Sequence, residues 1–223
     1  MNITEKRLTK FKKTVANRQF DFTVVLEHLT DGHNIGAVLR SCEAIGIKSV
    51  FIIPHPDPKW RRNFVMGKRT TAGARKWLDV FTFTDVQSCI DYLRLNGFQI
   101  FSTAIGPKAK SVYEMDFCNK IAVILGNEKV GVSEKALELS DGNIIIPMQG
   151  MMQSLNVSVA CSVILFEAMR QRSISGKYID KNDQTEIEER LQNSPKRQEL
   201  LQEFLKRHQN RYRGSNTKSL DDL

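Results

Sequence analysis

Short apolar runs that alternate with helical patterns constrain this chain more than any other feature. Strand-like runs fall at 22–27, 49–53, 98–103, 121–125 and 143–146, with a weaker one at 80–83. Between them, 34–45, 85–95 and 133–139 read as helices, with Gly46 and Gly97 where a helix C-terminus is expected. The alternation predicts an α/β domain with a mostly parallel sheet flanked by helices, since a parallel crossover needs a helix to return the chain. Residues 154–172 are apolar or small nearly all round until Glu167. That pattern predicts a helix buried by the sheet, by a second subunit, or by both.

A chain of 223 residues suits one substantial domain with appendages. The expected division is a basic helical arm over 1–20, a catalytic body over 21–176, and a polar appendage over 177–223. Leu191, Leu200, Leu201, Phe204 and Leu205 place one amphipathic helix in the appendage, which is expected to fray at its end. No apolar run approaches the roughly 18 residues of a membrane span, and the charged start lacks the apolar block of a signal peptide. Cys42, Cys89, Cys118 and Cys161 form no close pairs and show no metal-ligand spacing. The expectation is therefore a cytoplasmic protein with reduced thiols and no metal.

The formal net charge of +8 is unevenly spread. In 1–20, six basic residues oppose Glu5 alone, and 59–77 holds seven basic residues with no acid. Clustered positive charge beside a slightly acidic body is the footprint of a polyanion-binding surface. The competing reading is a solvated face of solubility lysines, which the near absence of acids in both clusters disfavours. Aromatic residues are sparse there, so backbone contact is expected over base stacking.

Three segments bring polar or glycine residues to strand ends, where ligands bind in open α/β sheets. The first is HNIGAVLR at 33–40, with Asn34 as a helix N-cap and Arg40 between one and two turns further on. Taken by itself, the segment reads first as an ordinary capped helix with a surface arginine. The second, LGNEKVGVS at 125–133, has the glycine spacing of a P-loop but puts Val132 where the phosphate-binding lysine belongs. A nucleotide triphosphatase is rejected on that ground, and the lack of any GxGxxG leaves a dinucleotide fold unsupported. The third, IPMQGMMQSLNVS at 146–158, runs from a strand end into the apolar helix, with Ser154 or Asn156 as its cap.

In this order the three segments resemble the motifs of the SpoU/TrmH branch of the SPOUT RNA methyltransferases. The similarity runs from about residue 3 to Tyr178 and is densest over 145–172, IIPMQGMMQSLNVSVACSVILFEAMRQR. The resemblance implies a deep trefoil knot near the C-terminal end of the catalytic domain, a homodimer packed partly through the last long helix, and S-adenosylmethionine as cofactor. Matching positions imply cofactor contacts at Thr103, Ala104, Ile105, Gly126, Ile146, Met148 and Leu155. They imply a catalytic group of Asn34, Arg40, Glu128, Ser154 and Asn156. The basic lead-in resembles the arm of tRNA-specific members, which implies RNA contacts through Arg7, Lys10, Arg18 and His33.

The implied reaction is 2′-O-methylation of a ribose in tRNA, at the D-loop guanosine 18. The alternatives are a ribosomal RNA 2′-O-methyltransferase and a non-catalytic RNA-binding protein on the same scaffold. Two departures stand out. Thr30-Asp31-Gly32 precedes His33 where tRNA-type members have a Lys-Pro pair, and the Gly126-Asn127-Glu128 triplet is common in rRNA-directed relatives.

Overall fold

The structure is a computed structural model that describes residues 3–61, 73–106, 109–209 and 217–218. In chain order, helix α1 (Glu5–Ala16) leads into β1 (Phe22–Glu27), α2 (Gly32–Ala44), β2 (Ser49–Ile53) and the short α3 (Pro58–Arg61). Next come β3 (Asp79–Thr82), α4 (Val86–Leu95), β4 (Gln99–Thr103), β5 (Ala109–Ser111), β6 (Ile121–Leu125), α5 (Glu134–Leu139) and β7 (Gly142–Ile145). Helices α6 (Val157–Ile174), α7 (Gln184–Gln192) and α8 (Pro195–Gln209) follow, with a two-residue β8 (Thr217–Lys218).

The strands form one sheet in the order β5-β7-β4-β6-β1-β2-β3-β8, and every pairing is parallel. The α/β architecture expected from the alternation is thus present, with two further strands, β5 and β8, at its edges. The three residues of β5, Ala-Lys-Ser, are too few and too polar to register as an apolar run. Side-chain alternation divides the core in two. Val24, Leu26, Val123 and Leu125 join Ile35, Val38, Leu39, Ile164 and Leu165 on the α2 and α6 face. Val25, Ala122 and Ile124 join Val86, Ile90, Leu93, Val132 and Ala136 on the α4 and α5 face.

The two chain ends, expected as separate appendages, pack on one another. Phe11, Val15 and Ala16 of α1 form a third apolar cluster with Ile179, Ile187, Leu191, Leu200 and Phe204. The single tail helix expected through Leu191–Leu205 is two helices instead, broken at Asn193 and Ser194. Pro195 begins α8, and the residue before a proline is disfavoured in helical conformation, which stops α7 there.

Helix α6 begins at Val157, three residues later than expected, and it is two-faced. Val157, Cys161, Ile164, Leu165 and Ala168 are buried, while Val159, Phe166 and Ile174 are exposed. Arg172, fully buried, fixes its far end: Nε donates to Phe117 O (2.8 Å), Nη1 to Gln19 Oε1 (2.8 Å) and Asp21 Oδ1 (2.5 Å), and Nη2 to Asp21 O (3.1 Å) and Asn119 O (2.8 Å). Cys42, Cys89 and Cys161 are buried and Cys118 is half-buried.

Candidate active site

The segments expected around the cofactor leave the carboxyl ends of three neighbouring strands. Thr103 ends β4, Gly126 follows β6, and Ile146 follows β7, with β4 paired to both others. Thr103 Oγ1 donates to Ile124 O (3.0 Å), tying the first two together. Ala104 is half-buried and Ile105 is exposed, while Ile146 and Met148 are half-buried and Leu155 lies at the edge of exposure. Apolar side chains beside free strand ends suit a ligand with an apolar heterocycle and a polar tail, such as S-adenosylmethionine.

Gly126 lets the next loop double back. A Cβ on it would lie 2.2 Å from both Gly131 C and Val132 N, and only glycine avoids that overlap. Asn127 and Gly131 then exchange backbone hydrogen bonds (2.9 and 2.8 Å), and Asn127 Oδ1 accepts from Lys129 N and Val130 N. Glu128 is held at the tip of this turn.

Helix α2 does not start as expected. Asp31 is its N-cap, accepting from His33 N (2.8 Å), and Asn34 lies within the first turn. The acid that replaces the Lys-Pro pair therefore serves as a helix cap. Asn34, freed from capping, faces two loops: Nδ2 donates to Glu128 Oε1 (2.9 Å), and Oδ1 accepts from Asn156 Nδ2 (3.1 Å). Asn156 caps α6, its Oδ1 accepting from Ser158 N (2.9 Å) and Ser158 Oγ (2.7 Å). One residue from each sequence motif thus enters a single hydrogen-bonded row.

The other two residues of the expected catalytic group do not join that row. Ser154 is exposed in the loop before α6, and no hydrogen bond of its side chain occurs among the described residues. Arg40 is exposed and lines an open cavity of about 720 Å³ with Arg7, Lys76, Trp77 and Phe166. Six helical residues put it about 9 Å along the axis and about 120° around it from Asn34, which is why one helix serves two surfaces.

The expected RNA contacts divide likewise. Arg7, Lys10 and His33 are exposed. Arg18 is not: it is fully buried, donating to Ile47 O (2.8 Å), Glu43 Oε1 (3.1 Å) and Trp77 O (3.0 Å). A guanidinium spent on those acceptors has no face for a phosphate, so Arg18 is a structural residue and leaves the RNA set. Of the second basic cluster, Arg62, Lys68 and Arg69 lie outside the described residues. Among the described residues, no group of acids, histidines and cysteines could hold a metal ion.

Sequence analysis missed one acid. Glu27, the last residue of β1, is fully buried and accepts from Ser133 N (3.0 Å) and Ser133 Oγ (2.5 Å). Its signal was available: an acid closing the otherwise apolar run FTVVLE. The next residue, His28, has φ +56°, and its ring packs edge-on to that of His55. Burial lowers the His28 imidazole below its usual range, Glu27 opposing and His55 reinforcing the shift.

Residues 21–166 match the SpoU rRNA methylase family. This chain belongs to that family. Among SpoU relatives, it is 41% identical over 175 residues to a tRNA (guanosine(18)-2′-O)-methyltransferase of Thermus thermophilus, an alignment covering 78% of this chain and 88% of the relative. The SpoU-type structure described as a TrmH/SpoU tRNA modifying enzyme of A. aeolicus is 30% identical with a TM-score of 0.76, covering 94% of this chain and 98% of that one. The SpoU methyltransferase AviRb of Streptomyces viridochromogenes, solved with AdoMet, is 29% identical with a TM-score of 0.61, covering 71% of this chain and 63% of that one.

Proposed function

We propose that this protein transfers a methyl group from S-adenosylmethionine to the ribose 2′-hydroxyl of guanosine 18 in tRNA. The observation that carries the reading is the row Asn156–Asn34–Glu128, which unites three distant segments that follow β7, β1 and β6. The likeness to the Thermus relative, extending over 88% of its length, supports the choice of tRNA and of this nucleotide.

The bound cofactor supplies an electrophilic methyl group on a sulfonium. Thr103, Ala104, Ile105, Gly126, Ile146, Met148 and Leu155 hold it at the strand ends. The hydroxyl is a weak nucleophile that must be held in line and relieved of its proton. Asn34 and Asn156 each use one amide N–H within the row and keep a second to fix ribose oxygens. Glu128 keeps its second carboxyl oxygen as an acceptor. Arg40, permanently charged, clamps the adjacent phosphate and stabilises charge developing on the attacking oxygen, and Ser154 orients that clamp. Arg7, Lys10 and His33 contact the RNA.

The same reading includes a homodimer, the knot and a cytoplasmic location. The exposed apolar side chains Val159, Phe166 and Ile174 on α6 favour a second subunit packed there. The strand order favours the knot: β6 inserts between β1 and β4, β7 crosses beyond β4, and the chain then returns as α6 to pack on α2. No described helix is long and apolar enough to cross a membrane. The division of the chain in this reading is a basic helical arm over 1–20, a catalytic body over 21–176 and a polar, partly helical appendage over 177–223, with α1 packed on α7 and α8.

The test is methylation of unmodified tRNA transcript by purified protein, with the methylated ribose mapped by mass spectrometry of nuclease fragments. 2′-O-methylguanosine at position 18 is the expected product. Methylation of ribosomal RNA instead, or RNA binding with no transfer, would replace this reading with one of its alternatives.

A further inference from the structure

The geometry points to Glu27 as a positioning residue that sets Glu128 against Asn34. This rests on the proposed function, because it assigns a further residue to the same reaction. A carboxyl group shut away from water is costly unless fully hydrogen-bonded. Among the described residues Glu27 forms no ion pair, and both of its hydrogen bonds come from Ser133. It therefore serves a connection between the end of β1 and the end of the loop that carries Glu128.

The carboxyl end of β1 grips that loop at both of its ends. At the near end, Asn127 Nδ2 donates to His28 O (2.8 Å). At the far end, Glu27 takes both Ser133 donors, while Ser133 Oγ accepts from Ala136 N (3.2 Å) and caps α5. Between the grips, Val132 is buried against Val25 and Ile124 in the sheet's α4 and α5 face. What stays outside these anchors is the tip, Glu128, Lys129 and Val130, all exposed. An exposed glutamate loses side-chain freedom when it takes up one partner at 2.9 Å. Fixing the loop's backbone at both ends reduces how much freedom remains to be lost. Strand β1 also feeds α2, which carries Asn34, so Glu27 and His28 reference both halves of the Asn34–Glu128 contact to one strand end.

Glu27→Gln tests this, since it keeps the shape and turns one Ser133 acceptor into a donor. The expected result is at least a tenfold fall in kcat with KM for tRNA and calorimetric cofactor affinity within threefold of the parent. Backbone amides over 126–136 should exchange with deuterium at least tenfold faster. In a Glu128→Gln background, the same change should cost less than twofold, because its effect passes through Glu128. An unchanged kcat, an equal loss in both backgrounds, or unchanged exchange would overturn the proposal. Asn127→Asp, which replaces the donor to His28 O with a carboxyl oxygen and keeps the acceptor for Lys129 N and Val130 N, should give the same pattern and decides the matter if Glu27→Gln does not fold. A parent protein that methylates no tRNA would overturn the functional reading, and the exchange rates would still decide whether Glu27 anchors the loop.

Discussion

Asn156 reaches across from the start of α6 to donate a hydrogen bond to Asn34 in the first turn of α2, at 3.1 Å. The two residues are 122 positions apart in the chain. Each has one amide oxygen engaged and one amide hydrogen in use, so neither can rotate by half a turn without losing a partner. The pair thereby fixes which of their remaining groups face an incoming ribose.

Asn34→Asp keeps the acceptor for Asn156 but sets a carboxyl oxygen 2.9 Å from Glu128 Oε1. Two like-charged groups cannot hold that distance, so Glu128 should swing away. Single-turnover methyl transfer should fall by about 100-fold, which is about 2.7 kcal/mol of barrier. Thermal stability should stay within about 1 kcal/mol, because the bond broken is exposed.

Arg40→Lys keeps the charge and loses the planar fork that grips a phosphate. Because Arg40 is exposed and unpaired among the described residues, melting should shift by no more than about 0.5 kcal/mol. The transfer rate should drop by about 100- to 1,000-fold, the usual cost of removing one group that stabilises a developing oxyanion. Parental turnover would remove Arg40 from the mechanism.

Stability at low pH should depend on Asp21. Burial disfavours its charged form, but hydrogen bonds from Lys177 and Arg172, with their positive charge, outweigh this and hold the carboxyl below its usual range. A native pKa below the unfolded one means the contribution is whole above about pH 4 and is lost as pH falls through the native value. Asp21→Asn should lower stability at neutral pH and flatten the acid limb of the denaturation profile. Arg172→Leu should cost more, about 3–5 kcal/mol, because it orphans buried acceptors and leaves Asp21 without one cation. Urea titrations from pH 3 to pH 7 would check both.

The body's strands and helices were legible because apolar spacing is local: β1, β2 and β6 stand where the runs placed them. Asn34, Glu128 and Asn156 were nameable as one catalytic group only through the resemblance, since nothing in their spacing says that three loops meet. The role of Arg18 was illegible for a different reason. In sequence it is one more cation in a basic arm, and only tertiary contacts with Glu43, Ile47 and Trp77 turn it inward. The same holds for the tail, whose apolar residues gave a helical period but not the partner, Phe11 and Val15 of α1, that covers them.

That packing changes how the RNA arm must be tested. Deleting 1–20 would strip the cover from Ile187, Leu191, Leu200 and Phe204 and remove Arg18 from the core, so lost tRNA binding would report unfolding. Arg7→Gln with Lys10→Gln avoids this, because both side chains are exposed and α1 keeps Phe11, Val15 and Ala16 in place. If both cations meet phosphates, tRNA affinity should fall while calorimetric cofactor affinity stays constant. Each lost contact should flatten the log–log salt dependence by about 0.7–0.9, or about 1.4–1.8 for the pair. Lys12 is the internal control: it already pairs with Glu188 at 2.6 Å, so Lys12→Gln should move the slope by much less. Equal slopes for the parent and the double variant would make the exposed face of α1 a solubility surface, and the tRNA assignment would lose the support of this arm.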